Sequence, residues 1–291
     1  MHLQPEFRAV GIVAEDVYES QQEANIASGV RRVEIAAVHD TPLAVVGGGP
    51  SIKQQIDELA NWPGDIWAIN QTAQWLMKYT PKCPVYMFSV DPDPRIASFA
   101  DGVDRAILGG SCHPDLFAKF QGKDVRYFLT RPIKGTEKHI EPRPELKPKV
   151  ETFGPSSVTR TFMPAAMLGY KDITYFGCEG CLDEDTLNAN ACRNDYALGW
   201  RSHDNLRLMI IKAGGKEYLT TPDYYMTTQS LANVIKAYPK LKEKSGGLLR
   251  AMLNDPEWSC VAVSEALRND IFTDATERYE TPFSVPAESF A

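Results

Sequence analysis

Leu43-Ala44-Val45-Val46 is an unbroken apolar run with no polar alternation, the pattern of a short strand buried on both faces. Gly47-Gly48-Gly49 follows at once, and Pro50-Ser51 opens an amphipathic run in which Ile52, Ile56, Leu59 and Ala60 recur at helical spacing. Proline suits a first helical turn, because its missing N–H would go unpaired there anyway. Further apolar runs predict strands over 65–70, 84–91, 105–110, 125–129 and 171–177, with another near 217–219. Between them, helical spacing predicts helices over 72–79 (Trp75 and Leu76 inward), 114–120, the stretch up to Leu168 with Gly169 as its stop, 206–213 and 228–238. Pro164 should kink the helix that contains it.

Strands alternating with helices across short loops predict a doubly wound, mostly parallel α/β sheet with helices on both faces. Ahead of it, Val17, Ile26, Val30, Val33 and Ile35 suggest one or two covering helices, so residues 1–40 read as a helical lead-in. Residues 41–238 read as the principal domain. Residues 239–291 read as a helical appendage, with helices over 248–253 and 259–268 and a proline-containing tail. Residues 130–151, rich in proline (Pro132, Pro142, Pro144, Pro148) and mixed charge, are too long for an ordinary connection and read as a lid or excursion.

Composition changes this picture little. The chain of 291 residues is 43% hydrophobic and 24% charged, ordinary for a globular protein. A net charge of −7 without a compensating basic block argues against a general nucleic-acid binder. No apolar run approaches a membrane span. The polar start, Met1 to Glu6, lacks a signal-peptide core, and the six cysteines then read as reduced thiols. A cytoplasmic location is the expectation.

The chemistry concentrates where strands end. Strand, glycine turn, helix is the geometry in which backbone N–H groups face an anion, usually a phosphate, and glycine lets it approach the backbone closely. The turn is neither the dinucleotide fingerprint, since Ile52 stands at the third glycine position, nor a Walker A loop, which ends in Gly-Lys-Ser/Thr. A tight turn without a ligand is the plainer alternative. Asn70 and Asp91 also fall at strand ends, where such sheets bind ligands, so one crevice could collect all three. Asp91 and Asp93, in Asp91-Pro92-Asp93-Pro94, suit Mg²⁺, which takes one or two carboxylates plus phosphate oxygens. A turn with a helix cap explains the same pair. Glu179, after the 171–177 strand, lies beside the same crevice. Cys178, Cys181, Cys192 and His203 invite a zinc reading, but the second Cys pair is missing and free thiols are simpler. His113 reads equally as a helix-initiating residue, and Arg131, Lys134 and Lys138 could close over phosphates.

Several stretches recur together in one superfamily: Asn25-Ile26, residues 45–51, Ile69-Asn70, Ser89-Val90-Asp91, and Ser157-Val158 through residues 168–179. Over roughly residues 20–235 the chain resembles the 6-hydroxymethylpterin diphosphokinase MptE-like family, whose Rossmann-like relatives include motility accessory factors and, more distantly, bacterial sialyltransferases. The resemblance implies a transferase with Gly47, Gly48, Gly49, Pro50 and Ser51 on the nucleotide phosphates and Asn70 and Asp91 lining the donor site. Ser156 and Ser157 are further cofactor-binding candidates, Asp91 and Glu179 the catalytic candidates, and Asp91 and Asp93 the metal candidates. The donor would be ATP, with Mg²⁺, or a nucleotide-sugar; the acceptor would be a small hydroxyl compound such as a pterin. A non-catalytic nucleotide-binding module and a homo-oligomer stay open. Where family members carry Asp after the late glycine, this chain has Glu179, which keeps the charge and lengthens the reach. The histidine base of sialyltransferase-type members has only His203 as a counterpart, with unconvincing flanks.

Overall fold

The computed structural model describes residues 13–80, 82–130, 156–182, 208–255 and 257–262. Its strands are β1 (Arg31–Arg32), β2 (Leu43–Val46), β3 (Asp65–Ile69), β4 (Val85–Ser89), β5 (Arg105–Gly109), β6 (Asp124–Phe128), β7 (Ile173–Phe176), β8 (Met209–Ala213), β9 (Lys216–Thr220), β10 (Leu241–Glu243) and β11 (Ser259–Ala262). Its α-helices are α1 (Glu15–Ala27), α2 (Ile56–Ala60), α3 (Thr72–Leu76), α4 (Pro114–Lys119), α5 (Phe162–Met167), α6 (Pro222–Ala237) and α7 (Gly247–Asn254).

The predicted parallel sheet is present as eight strands in the order β1-β6-β5-β4-β3-β2-β7-β10, and all its pairings are parallel. The fold is Rossmann-like α/β. From β2 the chain steps outward through β3, β4, β5 and β6, then returns to place β7 on the other side of β2. The chain thus leaves β2 toward one side of the sheet while β7 and β10 lie on the other, which makes the carboxyl ends of β2 and β7 the topological switch point. Every residue of β2 is fully buried, as a strand covered on both faces requires. Trp67, Phe88 and Phe128 stack across β3, β4 and β6, with centroid separations of 5.5 and 5.6 Å. Full burial of one such side chain stabilises the fold by about 1.5–3 kcal/mol.

Several expectations are corrected. Among the described residues the lead-in holds one helix, α1, and residues 30–38 are not helical; β1 adds a short edge strand beside β6. The buried residues of α1 are polar, Gln21, Gln22 and Asn25, while Ile35 and Val38 are exposed. Of the helix expected over 206–213, the described residues 208–213 are not helical: β8 alternates buried Met209, Ile211 and Ala213 with exposed Lys212, a period of two rather than 3.6. Residues 259–262 are likewise strand, since β11 pairs antiparallel with β8 in a separate three-stranded sheet with β9. The principal sheet also reaches beyond residue 238, because β10 pairs with β7. The helix expected over 52–60 is a 3₁₀ turn (Pro50–Gln54) followed by α2. The lid expected over 130–151 lies outside the described residues from 131 onward.

Candidate functional site

Gly47 and Gly49 tie the turn after β2 to the end of β7: their N–H groups donate to Phe176 O and Gly177 O, each at 2.8 Å. A Cβ on Gly47 would collide with the Gly177 carbonyl, and Gly177 itself has φ +60°. The two strand ends thus approach closely because neither carries a side chain there.

The same lack of side chains admits Glu179. Its Oε1 accepts from Ser51 N–H at 2.6 Å. Its Oε2 is buried with no hydrogen-bond partner and lies where a Cβ on Gly49 would have to stand. On the far side, a Cβ on Gly247 would come within 2.7 Å of the Glu179 Cβ, and Leu249 N–H donates to the Glu179 carbonyl at 3.0 Å. Burial raises the Glu179 carboxyl above the ordinary glutamate range, and the Ser51 hydrogen bond only partly offsets it. Gly47, Gly49 and Ser51 N–H groups are therefore all engaged within the chain, and Pro50 has none. Among the turn's backbone donors only half-buried Gly48 is left to a ligand.

The neighbouring strand ends carry the other predicted residues. Asn70, after β3, has φ +48°, a left-handed conformation, and its Oδ1 is buried without a partner. Asp91, beyond β4, is half-buried and its carboxyl is raised by that burial. Its Oδ1 accepts from Asp93 N–H at 3.0 Å. Asp93 caps the Pro94–Ala100 turn by accepting from Arg95 N–H at 2.9 Å. Its carboxylate also pairs with the Arg95 guanidinium, which lowers its pKa. The cap reading thus accounts for Asp93. Ser157 Oγ accepts from Val90 N–H at 3.4 Å and so stands beside Asp91. Ser156 instead bonds Thr159 at the start of its own 3₁₀ turn.

The crevice edge therefore gathers the glycine turn, Asn70, Asp91, Ser157 and Glu179, but it does not bring the two acids together. β2 and β3 lie between β7 and β4. Three strand spacings separate the axes of β7 and β4 by about 14 Å, although the Glu179 side chain reaches back over the β2 turn to Ser51. The two acids therefore suit two ends of an extended ligand rather than one atom.

Among the described residues no group of three or more His, Cys, Asp or Glu side chains is placed to hold a metal ion. Asp91 is the oxygen donor that fits Mg²⁺ beside phosphate, while Asp93 is taken up by Arg95. Cys178 is a buried thiol with its pKa raised by burial, and its Sγ donates to Phe176 O. Cys192, His203, Arg131, Lys134 and Lys138 lie outside the described residues. His113 caps α4 by accepting from Asp115 N–H.

Hydrophobic periodicity missed a polar network on the β4–β6 side of the edge. Asn25 donates to the carbonyls of Gly110 (2.8 Å) and Cys112 (2.7 Å), and Gln22 Oε1 accepts from Thr130 N–H (3.0 Å). Gln21 donates to Pro92 O at 3.2 Å, next to Asp91. Arg160 lies near enough to the Cys112 thiol to oppose the burial that pushes it up to about 12. The signals in the sequence were the Asn25-Ile26 pair and the spacing that puts Gln21, Gln22 and Asn25 on one helical face.

No helix among the described residues is long and apolar enough to cross a membrane. No family model matches the chain, and no curated protein or solved structure is significantly similar to it.

Proposed function

We propose that the protein is a nucleotide-dependent transferase of the diphosphokinase type, moving a pyrophosphoryl group from ATP to a hydroxymethyl acceptor such as a pterin. The observation that carries this reading is the glycine turn at the switch point, whose Ser51 N–H already holds an anionic type of group, the Glu179 carboxyl. An N–H that hydrogen-bonds a carboxylate oxygen suits a phosphate oxygen equally well. Asp91, with Ser157 beside it, stands toward the other end of an extended ligand, where it would hold Mg²⁺ on the phosphate oxygens farthest from Ser51; the ion's part is to neutralise charge there. Glu179 has its pKa raised toward the range in which a carboxylate can take a proton from an attacking hydroxyl.

A second reading is a nucleotide-sugar-dependent glycosyltransferase. It is favoured by the strand order, in which β2 and β3 separate Glu179 from Asp91, so that Glu179 would act as a base without Asp91 beside it. Incubation with ATP, Mg²⁺ and 6-hydroxymethyl-dihydropterin separates the readings. The diphosphokinase releases AMP rather than ADP, because the β,γ unit moves together. Turnover of a CMP- or UDP-sugar without AMP release establishes the second reading, and nucleotide binding without any product leaves a binding module.

A further inference from the structure

We infer that Glu179 is an internal occupant of the phosphate position, and that a pyrophosphate-bearing ligand binds by displacing its carboxyl group from Ser51 N–H. This rests on the nucleotide reading above and adds how the site is held when no ligand is there.

Three independent features place the carboxyl group in the ligand's position. Its Oε1 takes the Ser51 N–H at 2.6 Å, a donor that a phosphate at the turn would need. Its Oε2 fills the space left by the missing Gly49 side chain, so the glycine that would admit a phosphate admits Glu179 instead. Gly247 removes a side chain from the other flank, where the Glu179 Cβ packs. The position is filled, and filled by the chain itself.

The occupant is poorly satisfied there. Glu179 is 7% exposed, and Oε2 has neither water access nor a hydrogen-bond partner. A buried oxygen without a partner is destabilising, and more so when ionised. A phosphate with several oxygens and access to the Gly48 N–H can do better at the same place. The turn would survive the exchange, because Gly47 and Gly49 hold it to β7 through Phe176 O and Gly177 O, bonds that do not involve the Glu179 side chain. The alternative is a permanent latch between the turn and the segment after β7. A latch would lose stability on removal and would gain no affinity.

Binding of inorganic pyrophosphate and of ATP to the full chain, measured by calorimetry on wild type, Glu179→Gln and Glu179→Ala, decides between them. Losing the competitor frees the Ser51 N–H and the space beside Gly49, so Glu179→Ala should bind about tenfold tighter or more. Glu179→Gln, which keeps an acceptor for Ser51 but no charge, should fall between Glu179→Ala and wild type. Should Glu179→Ala not fold, tighter binding by Glu179→Gln supports the displacement by itself. Wild-type binding that is equalled or weakened in the folded variants overturns the displacement and leaves the nucleotide reading standing. Failure of wild type and both variants to bind either probe overturns the nucleotide reading, and the displacement with it.

Discussion

At the β4–β6 end of the crevice edge, α1 lays Asn25, Gln21 and Gln22 onto the carbonyls of Gly110, Cys112 and Pro92 and the N–H of Thr130, and Asp93 is paired with Arg95. At the β2–β7 end, two glycines leave room for one carboxyl group whose second oxygen has no partner. The first end is held by several answered polar groups, with Gln21 Oε1 the buried exception; the second turns on that one carboxyl group, whose Oε2 has no partner. Buried polar networks that are satisfied rigidify a fold, whereas an unsatisfied group keeps a position that a better partner can take. Asp91 stands at the border, beside the rigid end and raised by burial.

The largest effect should come from breaking the satisfied end. Asn25→Leu leaves the Gly110 and Cys112 carbonyls buried without their donor, a loss of about 3 kcal/mol of unfolding free energy. Urea denaturation should show the midpoint falling. A change below about 1 kcal/mol would mean that water or a rearranged α1 replaces both bonds.

A smaller effect, of opposite sign, is expected at the unsatisfied end and depends on pH. The Glu179 carboxyl is raised in the fold above the ordinary value of 4.5, so its neutral form is the one the fold favours. Its stabilising contribution is complete below the unfolded pKa and is lost as pH rises through the higher folded value. Glu179→Gln cannot ionise, so the melting temperature of this variant should gain on wild type as pH climbs from about 4.5 toward neutrality. Asp91 is raised too, but it is present in both proteins and cancels. A constant difference across that window would show that Glu179 is not held in its neutral-favouring environment.

The smallest effect is predicted at Asp93. Its partner Arg95 is half exposed, and such ion pairs contribute less than about 1 kcal/mol. Asp93→Asn should therefore barely move the melting temperature, and should leave any Mg²⁺ dependence of turnover intact, whereas Asp91→Asn should weaken it by orders of magnitude. Equal losses from the two substitutions would restore Asp93 as a metal ligand.

Much of the frame could be read from residues alone. Parallel strands buried on both faces must be apolar throughout, so 43–46, 65–69, 85–89, 105–109 and 173–176 announced themselves, and their alternation with helices implied the parallel sheet. The ends of those strands then placed the glycine turn, Asn70, Asp91 and Glu179 on one edge. Other elements gave no such signal. β1 is two arginines, and β8 with β11 depends on a partner some fifty residues away, a pairing that no local period encodes. α1 was misjudged because its buried face is amide rather than apolar, and amide burial is decided by which carbonyls happen to lie opposite.

Local pattern was enough to dictate that a buried strand, three glycines and a proline-led turn would sit at the edge of a parallel sheet, because chain stiffness and burial act over neighbouring residues. What fills that turn depended on the assembled fold. Strand order put β7 beside β2, brought Glu179 onto Ser51 across 128 positions of sequence, and held Asp91 two strands further away. Those distances follow from which strands pair, and pairing is a property of the whole folded sheet rather than of any segment within it.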